Sequence, residues 1–134
     1  MDPGKSAPDL PVSQTIRLRV RYTEVDAMGC LHHSRFLQYF EMGRVELLRS
    51  RGVRYVDLER RGVYFVVVRA EVKYRQPARY DDEVELTTTE VSRGHVKIEH
   101  EYEMRAEGKL LATGATTIAC VGRDGRPMQI PAFI

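Results

Sequence analysis

The feature that most constrains the fold of this chain is a series of segments in which apolar and charged residues alternate. Residues 96–104, VKIEHEYEM, place an apolar, aromatic or histidine side chain at every second position and a charged one between. Further strands are predicted in residues 15–22, 64–74 and 110–121 and from residue 84 onward. Because a period of two puts neighbouring side chains on opposite faces of a strand, the even-numbered residues of 64–74 are predicted to share one face. Together these segments predict a sheet with one buried face.

One segment has a helical period instead. In residues 34–51, apolar and aromatic residues recur at spacings of three and four, and the stripe is wide enough to predict a mostly buried helix. Two arginines near its end and Gly52 after it favour termination there. Residues 53–62 are predicted to add one more helical turn. Gly114, with small neighbours in the last strand, indicates a place where another element packs closely.

One strand, one long helix and four further strands predict an α+β domain, in which a curved antiparallel sheet wraps a single helix. A chain of 134 residues is the size of one such domain. Three prolines among the first eleven residues predict a flexible tail at residues 1–13, followed by a single domain at 14–134. Because the sheet would leave unpaired edges, we expect a homodimer or a larger assembly.

Composition excludes several classes of protein. The 43% hydrophobic and 30% charged residues are typical of a globular domain and not of a disordered chain. The apolar run at residues 63–68 is much shorter than the ~18 residues of a membrane span, and the first residues lack the apolar core of a secretory signal, so a cytoplasmic location is expected. A net charge of +2, with no aromatic residues interleaved among the arginines, argues against an RNA-binding module.

Two motifs carry a family resemblance. The sequence RYTEVDAMGCLHHSRF at residues 21–36 resembles the opening motif of the hotdog-fold acyl-CoA thioesterases, and within them the 4-hydroxybenzoyl-CoA thioesterase-like branch. The sequence YRQPA at residues 74–78, followed by an Asp-Asp pair, resembles a hairpin of the same family. In that hairpin a glycine usually precedes the aspartate, and here Tyr80 or Asp81 stands in its place. The resemblance covers about residues 15–122.

The resemblance implies a hotdog fold and the cofactor-free hydrolysis of an acyl-CoA thioester to a free acid and coenzyme A. It implies that Asp26 is the nucleophile or general base. It also implies that the helix N-terminus at His33 polarises the carbonyl through a main-chain N–H, with the imidazole as a nearby polar helper. The expected assembly is a dimer or a dimer-of-dimers homotetramer with active sites at the subunit interface.

These residue types suit the chemistry of thioester hydrolysis. A thiolate leaves readily without a proton, so the enzyme must supply the attack and the polarisation of the carbonyl. A loop carboxylate such as Asp26 can add to the carbonyl carbon or hold a water molecule. Base catalysis at pH 7 would require burial to raise the pKa of Asp26. Unpaired N–H groups at a helix N-terminus can stabilise the oxyanion.

Other interpretations of the loop residues stay open. Asp26 can be a turn former or a helix cap. Cys30, His32 and His33 mix thiolate and imidazole groups, but no further cluster completes a zinc site, so no metal is expected. In a reducing compartment Cys30 and Cys120 are expected to be free thiols.

Three residues beyond the loop have simpler interpretations. Glu41 can be a catalytic acid on the helix, but its spacing from Arg44 more simply predicts a buried or partly buried ion pair. His100, on the apolar face of its strand, is predicted to be a core histidine with its hydrogen bonds satisfied. Tyr39 and Phe40 are predicted to belong to the core and not to contact the acyl group.

Three arginines are candidate contacts for the phosphates of coenzyme A, because guanidinium groups bind phosphate in a bidentate manner. Arg93 is predicted to lie in a turn, and Arg123 and Arg126 follow the last strand. The alternative for each is an ordinary solvated side chain. The rival to an enzyme is a non-catalytic protein that binds acyl-CoA or an acyl-carrier thioester in the same pocket.

Overall fold

A computed structural model describes residues 11–134. Within these residues the chain forms five strands and two α-helices, together with a 3₁₀ turn at Tyr22–Glu24. In chain order they are β1 (Ser13–Arg19), α1 (Arg35–Ser50), α2 (Tyr55–Arg60), β2 (Tyr64–Tyr74), β3 (Glu83–Arg93), β4 (Lys97–Ala106) and β5 (Lys109–Val121). The first ten residues of the predicted tail lie outside the described residues, and β1 begins at Ser13.

The strands form one antiparallel sheet in the order β1-β3-β4-β5-β2, which confirms the predicted fold class. Strand β4 lies at its centre and shows the predicted alternation, with Ile98 to Met104 buried at even positions and glutamates exposed between them. Gly108, with a φ of 76°, turns β4 into β5 as a tight hairpin, because glycine adopts positive φ without steric cost. Strands β1 and β2 form the two edges.

Helix α1 lies across one face of the sheet and confirms the predicted buried helix. Its inward residues include Phe36, Phe40 and Leu47, which are at most 3% exposed. The helix ends at Ser50, and Gly52 follows with a φ of 83°, as the sequence predicts. The predicted extra turn is α2. No helix within residues 11–134 is long and apolar enough to cross a membrane.

Two glycines set the distance between helix and sheet. Gly43 faces β3, where a Cβ atom would overlap the Thr88 Oγ1 and lie 3.0 Å from a methyl of Leu86. Gly114 on β5 leaves room for the Phe40 ring. That ring stacks on Tyr102 with the centroids 4.1 Å apart. The predicted close approach at Gly114 is therefore confirmed, and the element that approaches is α1.

The prediction that all even-numbered residues of β2 share one face is wrong. The pairing of β2 with β5 shifts between Val67 and Arg69, so Val68 is an extra residue in a β-bulge. A bulge reverses the faces of the residues on its two sides. Val66 therefore faces away from Ala70, and the even-numbered residues face α1 only after the bulge. Because β2 is an edge strand, Val66, Val67 and Val68 are 43–52% exposed.

Candidate active site

The loop between the 3₁₀ turn and α1 is a closed hairpin. Val25 and Leu31 form an antiparallel bridge at its base, and the Asp26 N–H donates to the Cys30 carbonyl at 2.8 Å. Gly29, with a φ of 79°, makes the turn and donates its N–H to the Asp26 carbonyl at 3.0 Å. Asp26 is therefore held by main-chain bonds on both sides.

The side chain of Asp26 is held in one direction by the same loop. Its Oδ1 accepts the N–H of Met28 at 2.9 Å and the N–H of Cys30 at 3.1 Å. These bonds, the one from Cys30 first, lower the pKa of Asp26 below its ordinary value, and the charge of His32 acts in the same direction. Oδ2 has no hydrogen-bond partner among residues 11–134, and the residue is exposed in the single chain. Asp26 is thus an ionised carboxylate with one oxygen available for chemistry.

The main chain at His33 approaches the start of α1. The His33 N–H has no acceptor among the described residues, whereas the N–H groups of Arg35 and Phe36 donate to carbonyls of the preceding turn. The Tyr74 hydroxyl donates to the His33 carbonyl at 3.2 Å, which ties this position to β2. A donor that is available beside a helix N-terminus is the type of group that stabilises a developing oxyanion.

The two histidines of the loop differ in their surroundings. His32 Nδ1 accepts the Ser34 N–H at 3.2 Å and lies 2.8 Å from the Ser34 hydroxyl, while the His33 side chain is exposed. Their rings lie 4.1 Å apart. The imidazole whose charge affects the pKa of Asp26 is that of His32. Among the described residues no group of three or more His, Cys, Asp or Glu side chains is arranged to hold a metal ion.

A hydrogen-bond network around the buried carboxylate of Glu24 joins this loop to α1, and sequence reasoning missed it. The Glu24 carboxylate accepts the Tyr39 hydroxyl at 2.8 Å and the Arg21 N–H at 2.8 Å. Burial favours the neutral acid, but hydrogen bonds from Arg21 and Tyr39 outweigh it and lower the pKa of Glu24. Burial and the neighbouring Glu24 raise the pKa of Tyr39. The Glu24 carbonyl also accepts the His32 N–H at 2.9 Å, so one residue fixes both ends of the loop.

The second family motif packs against the same loop. The Leu31 N–H donates to the Ala78 carbonyl at 2.7 Å, and the Tyr80 N–H donates to the Gly29 carbonyl at 3.1 Å. Asp81 has a φ of 72°, a left-handed conformation that favours glycine. Of the two residues considered at the glycine position, the backbone conformation favours Asp81.

The three predicted phosphate contacts lie in different surroundings. Arg93 donates to the Glu90 carboxylate and to the Ile134 carbonyl. Arg123 donates to the carbonyls at the end of α2, at 2.9 Å from that of Arg60. Arg126 has an exposed side chain, whose Nε lies 3.8 Å from a carboxylate oxygen of Asp124.

The predicted ion pair of Glu41 with Arg44 is wrong. Within the described residues neither group has a charged partner closer than 4.0 Å; Glu41 is exposed, and Arg44 is buried and donates to the Tyr102 hydroxyl at 3.0 Å. Spacing along the helix does not determine which of the two side chains the sheet buries. His100 is buried as predicted, and its Nδ1 has no partner within residues 11–134.

Comparison with known proteins finds relatives that match most of the chain. A model of the thioesterase-like superfamily matches residues 20–134. The acyl-CoA thioester hydrolase YbgC of Escherichia coli O6:H1 is 33% identical over 119 residues, which cover 87% of this chain and 89% of that protein.

Solved structures show the same architecture. The hypothetical protein TT1821 of Thermus thermophilus is 38% identical, with a TM-score of 0.84 over 87% of this chain and 90% of that one. The DHNA-CoA thioesterase of Staphylococcus aureus is 27% identical, with a TM-score of 0.85 over 87% of this chain and 80% of that one.

Proposed function

The chain belongs to the thioesterase-like superfamily and is a thioester hydrolase, and from this premise we propose that it hydrolyses an acyl-CoA to a free acid and coenzyme A. One observation carries the proposal. A single loop holds an ionised carboxylate, Asp26, with one oxygen unbonded, and a main-chain N–H at His33 that no described residue accepts. Attack and carbonyl polarisation are the two functions that thioester hydrolysis requires.

The proposed first step is attack of the Asp26 carboxylate on the thioester carbonyl carbon. The C–S bond breaks, and coenzyme A leaves as a thiolate. Water then cleaves the acyl-aspartyl anhydride, which releases the acid and restores the carboxylate. The lowered pKa of Asp26 supports this nucleophilic role, because a carboxylate with a low pKa is a weak base at pH 7. In the general-base version Asp26 holds the attacking water, and a partner subunit would have to bury the carboxylate and raise its pKa.

The proposed oxyanion donor is the His33 main chain. The N–H carries a partial positive charge that the start of α1 reinforces, so it favours the negative charge that develops on the carbonyl oxygen. The bond from Tyr74 to the His33 carbonyl fixes the orientation of this peptide unit in advance. Preorganisation of this kind avoids reorientation during the reaction.

We propose a homodimer, or a dimer of such dimers, with the site at the subunit interface. Strand β2 supports this arrangement, because it is an edge with three consecutive exposed valines and with Tyr74, which contacts the site, at its far end. A partner on this edge would pair its ladder groups and supply a second wall that holds the thioester away from water. If so, thiol release and the dimer fraction fall together on dilution, as sedimentation would show; a fully active monomer would contradict the proposed arrangement.

Coenzyme A binding by Arg93, Arg123 and Arg126 is part of the same proposal. Arg126 has the guanidinium with the fewest internal contacts, so it is the one most available to a phosphate. We also propose that the protein is cytoplasmic, as expected from the sequence.

The function is tested by measuring thiol release from short, long and aromatic acyl-CoA substrates. Calorimetric binding of each acyl-CoA to the same protein serves as the control. We expect catalytic turnover of at least one class. Tight binding without release of thiol from any of them would favour a binding protein instead.

A further inference from the structure

Helix α1 carries a buried positive charge that the proposed reaction does not use. Arg44 is 6% exposed. One of its terminal nitrogens donates to the Tyr102 hydroxyl, which is neutral, and no carboxylate among residues 11–134 lies within 4.0 Å of the guanidinium. Arginine is almost never buried unless its charge is paired, because removing an ion from water is costly. The positive charge of Arg44 therefore has no compensating carboxylate nearby among the described residues.

The groups around Arg44 add to the positive charge. Arg51 and Arg93 both donate to the Glu90 carboxylate, at 2.8 Å and 2.9 Å, and the side chain of Arg51 is only 5% exposed. Burial favours protonation of Glu90, but these two arginines outweigh it and keep the pKa of Glu90 low, so the carboxylate is ionised. Arg51 and Arg93 thus have a charged partner in Glu90, and Arg93 also donates to Ile134, whereas Arg44 has no carboxylate within 4.0 Å among residues 11–134.

A small cavity lies within this cluster. It has a volume of about 10 Å³, which is room for one water-sized molecule. Its polar lining comes from Arg44, Tyr55, Glu90 and His100, and the rest is aliphatic or aromatic. Two of the lining residues have a buried nitrogen without a hydrogen-bond partner within the described residues: Arg44 Nε and His100 Nδ1. His100 is 5% exposed.

The histidine can act as a second donor without adding charge. Burial, and then the charge of Arg44, lower the pKa of His100 to about 4, so the ring is neutral at pH 7. A neutral imidazole carries one N–H, which can reside on Nδ1. The cavity then presents two N–H donors, one of them charged, and an excess of positive charge.

We propose that this cavity is an internal site for one monovalent anion of halide size, held by the N–H groups of Arg44 Nε and His100 Nδ1. A water molecule would satisfy the two hydrogen bonds but would leave the buried charge uncompensated. A halide ion would accept both hydrogen bonds and would also compensate the buried charge. The cavity has room for one particle of about the size of a water molecule, so a polyatomic anion such as phosphate does not fit. The site is separate from the Asp26 loop, so it does not depend on the proposed reaction.

The decisive experiment is crystallisation of the wild-type protein in sodium bromide, with anomalous diffraction measured at the bromine edge. We expect an anomalous peak within hydrogen-bond distance of both Arg44 Nε and His100 Nδ1. Density for a water molecule without anomalous signal, or a dry cavity, would overturn the proposal.

A second measurement uses thermal unfolding in sodium chloride and in sodium gluconate at equal ionic strength. A tenfold excess of chloride over its Kd is expected to raise Tm by about 4 °C for a domain of this size. Arg44→Met should remove the difference between the two salts, while Arg54→Met, which removes an exposed arginine, should keep it. Equal Tm values in the two salts for the wild type would count against the site, and the bromide experiment decides the question if Arg44→Met does not fold.

Discussion

Replacing Gly43 by alanine tests how closely helix α1 is seated on the sheet. An alanine Cβ at this position would overlap the Thr88 Oγ1 and lie 3.0 Å from a methyl of Leu86. Thr88 and Leu86 are fully buried, so neither can move into solvent. Because His33 lies just before α1, a shift of the helix would also displace the proposed oxyanion donor.

Two opposing effects determine the size of the change. Alanine in a helix is favoured over glycine by about 1 kcal/mol. Overpacking in a closely packed core costs about 1–3 kcal/mol. Since the overlap here is with an atom that cannot withdraw, we expect the upper part of that range and a net loss of about 1–2 kcal/mol for Gly43→Ala.

Thr88→Ala provides the matched control. It removes the overlapping oxygen, which has no hydrogen-bond partner within residues 11–134, and leaves the Thr88 Cβ at an ordinary 3.4 Å from the new methyl. In the double variant only the tight 3.0 Å contact with the Leu86 methyl remains, so most of the clash should be gone and the helix-propensity gain should appear. The coupling between the two substitutions is expected to be favourable by at least about 1 kcal/mol.

The assay is urea unfolding of the four proteins at one fixed concentration, followed by circular dichroism. We expect Gly43→Ala to be less stable than the wild type, and the double variant to be at least as stable as Thr88→Ala. Additive effects, or a Gly43→Ala variant more stable than the wild type, would refute the close seating of α1 on β3.

Three further predictions concern the loop and its hairpin. His33→Ala keeps the peptide N–H and should lower kcat/KM for thiol release by less than about tenfold. A loss as large as that expected for Asp26→Asn would show that the imidazole is required. Asp81→Gly removes a non-glycine residue from the left-handed conformation and should raise Tm, by an amount corresponding to at most about 1 kcal/mol. A lower Tm would mean that the exposed contact of Asp81 with Arg19 stabilises the fold by more than the backbone strain destabilises it. Asp26 has a lowered pKa and acts when ionised, so kcat/KM should be lost only as the pH falls below about 3.8, the ordinary pKa of an aspartate. A loss of kcat/KM that begins near pH 6 would contradict the nucleophilic role.

The sequence predicts well those elements in which apolar residues recur at a constant spacing over the whole length. Strand β4 alternates over its whole length, and α1 keeps its apolar stripe from Phe36 to Leu48, so both were predictable. The bulge at Val68 was not, because three consecutive valines give no preference for either face. The family resemblance of residues 21–36 is confirmed, since the superfamily model and the relatives cover this segment.

The part of the candidate site that the sequence indicates is the part that is local in the chain. The turn that holds Asp26 uses Met28 and Cys30, a few residues away in the same motif. The support of that loop by Glu24 could not be predicted, because its partner Tyr39 lies fifteen residues further along and on another element. In the same way, the surroundings of Arg44 depend on strands that pack against α1, and no spacing along the helix indicates them.

The central proposal, that Asp26 performs the chemistry, is tested most directly by thiol release from the folded Asp26→Asn variant. Asparagine keeps an acceptor oxygen for the N–H groups of Met28 and Cys30, so the loop should persist while the negative charge is lost. Asp57→Asn, which changes an exposed aspartate on α2, is the matched control and should leave turnover unchanged. The expected result is a loss of at least about a hundredfold in kcat for Asp26→Asn with unchanged unfolding behaviour. Turnover at the wild-type rate by this variant would contradict the proposed mechanism.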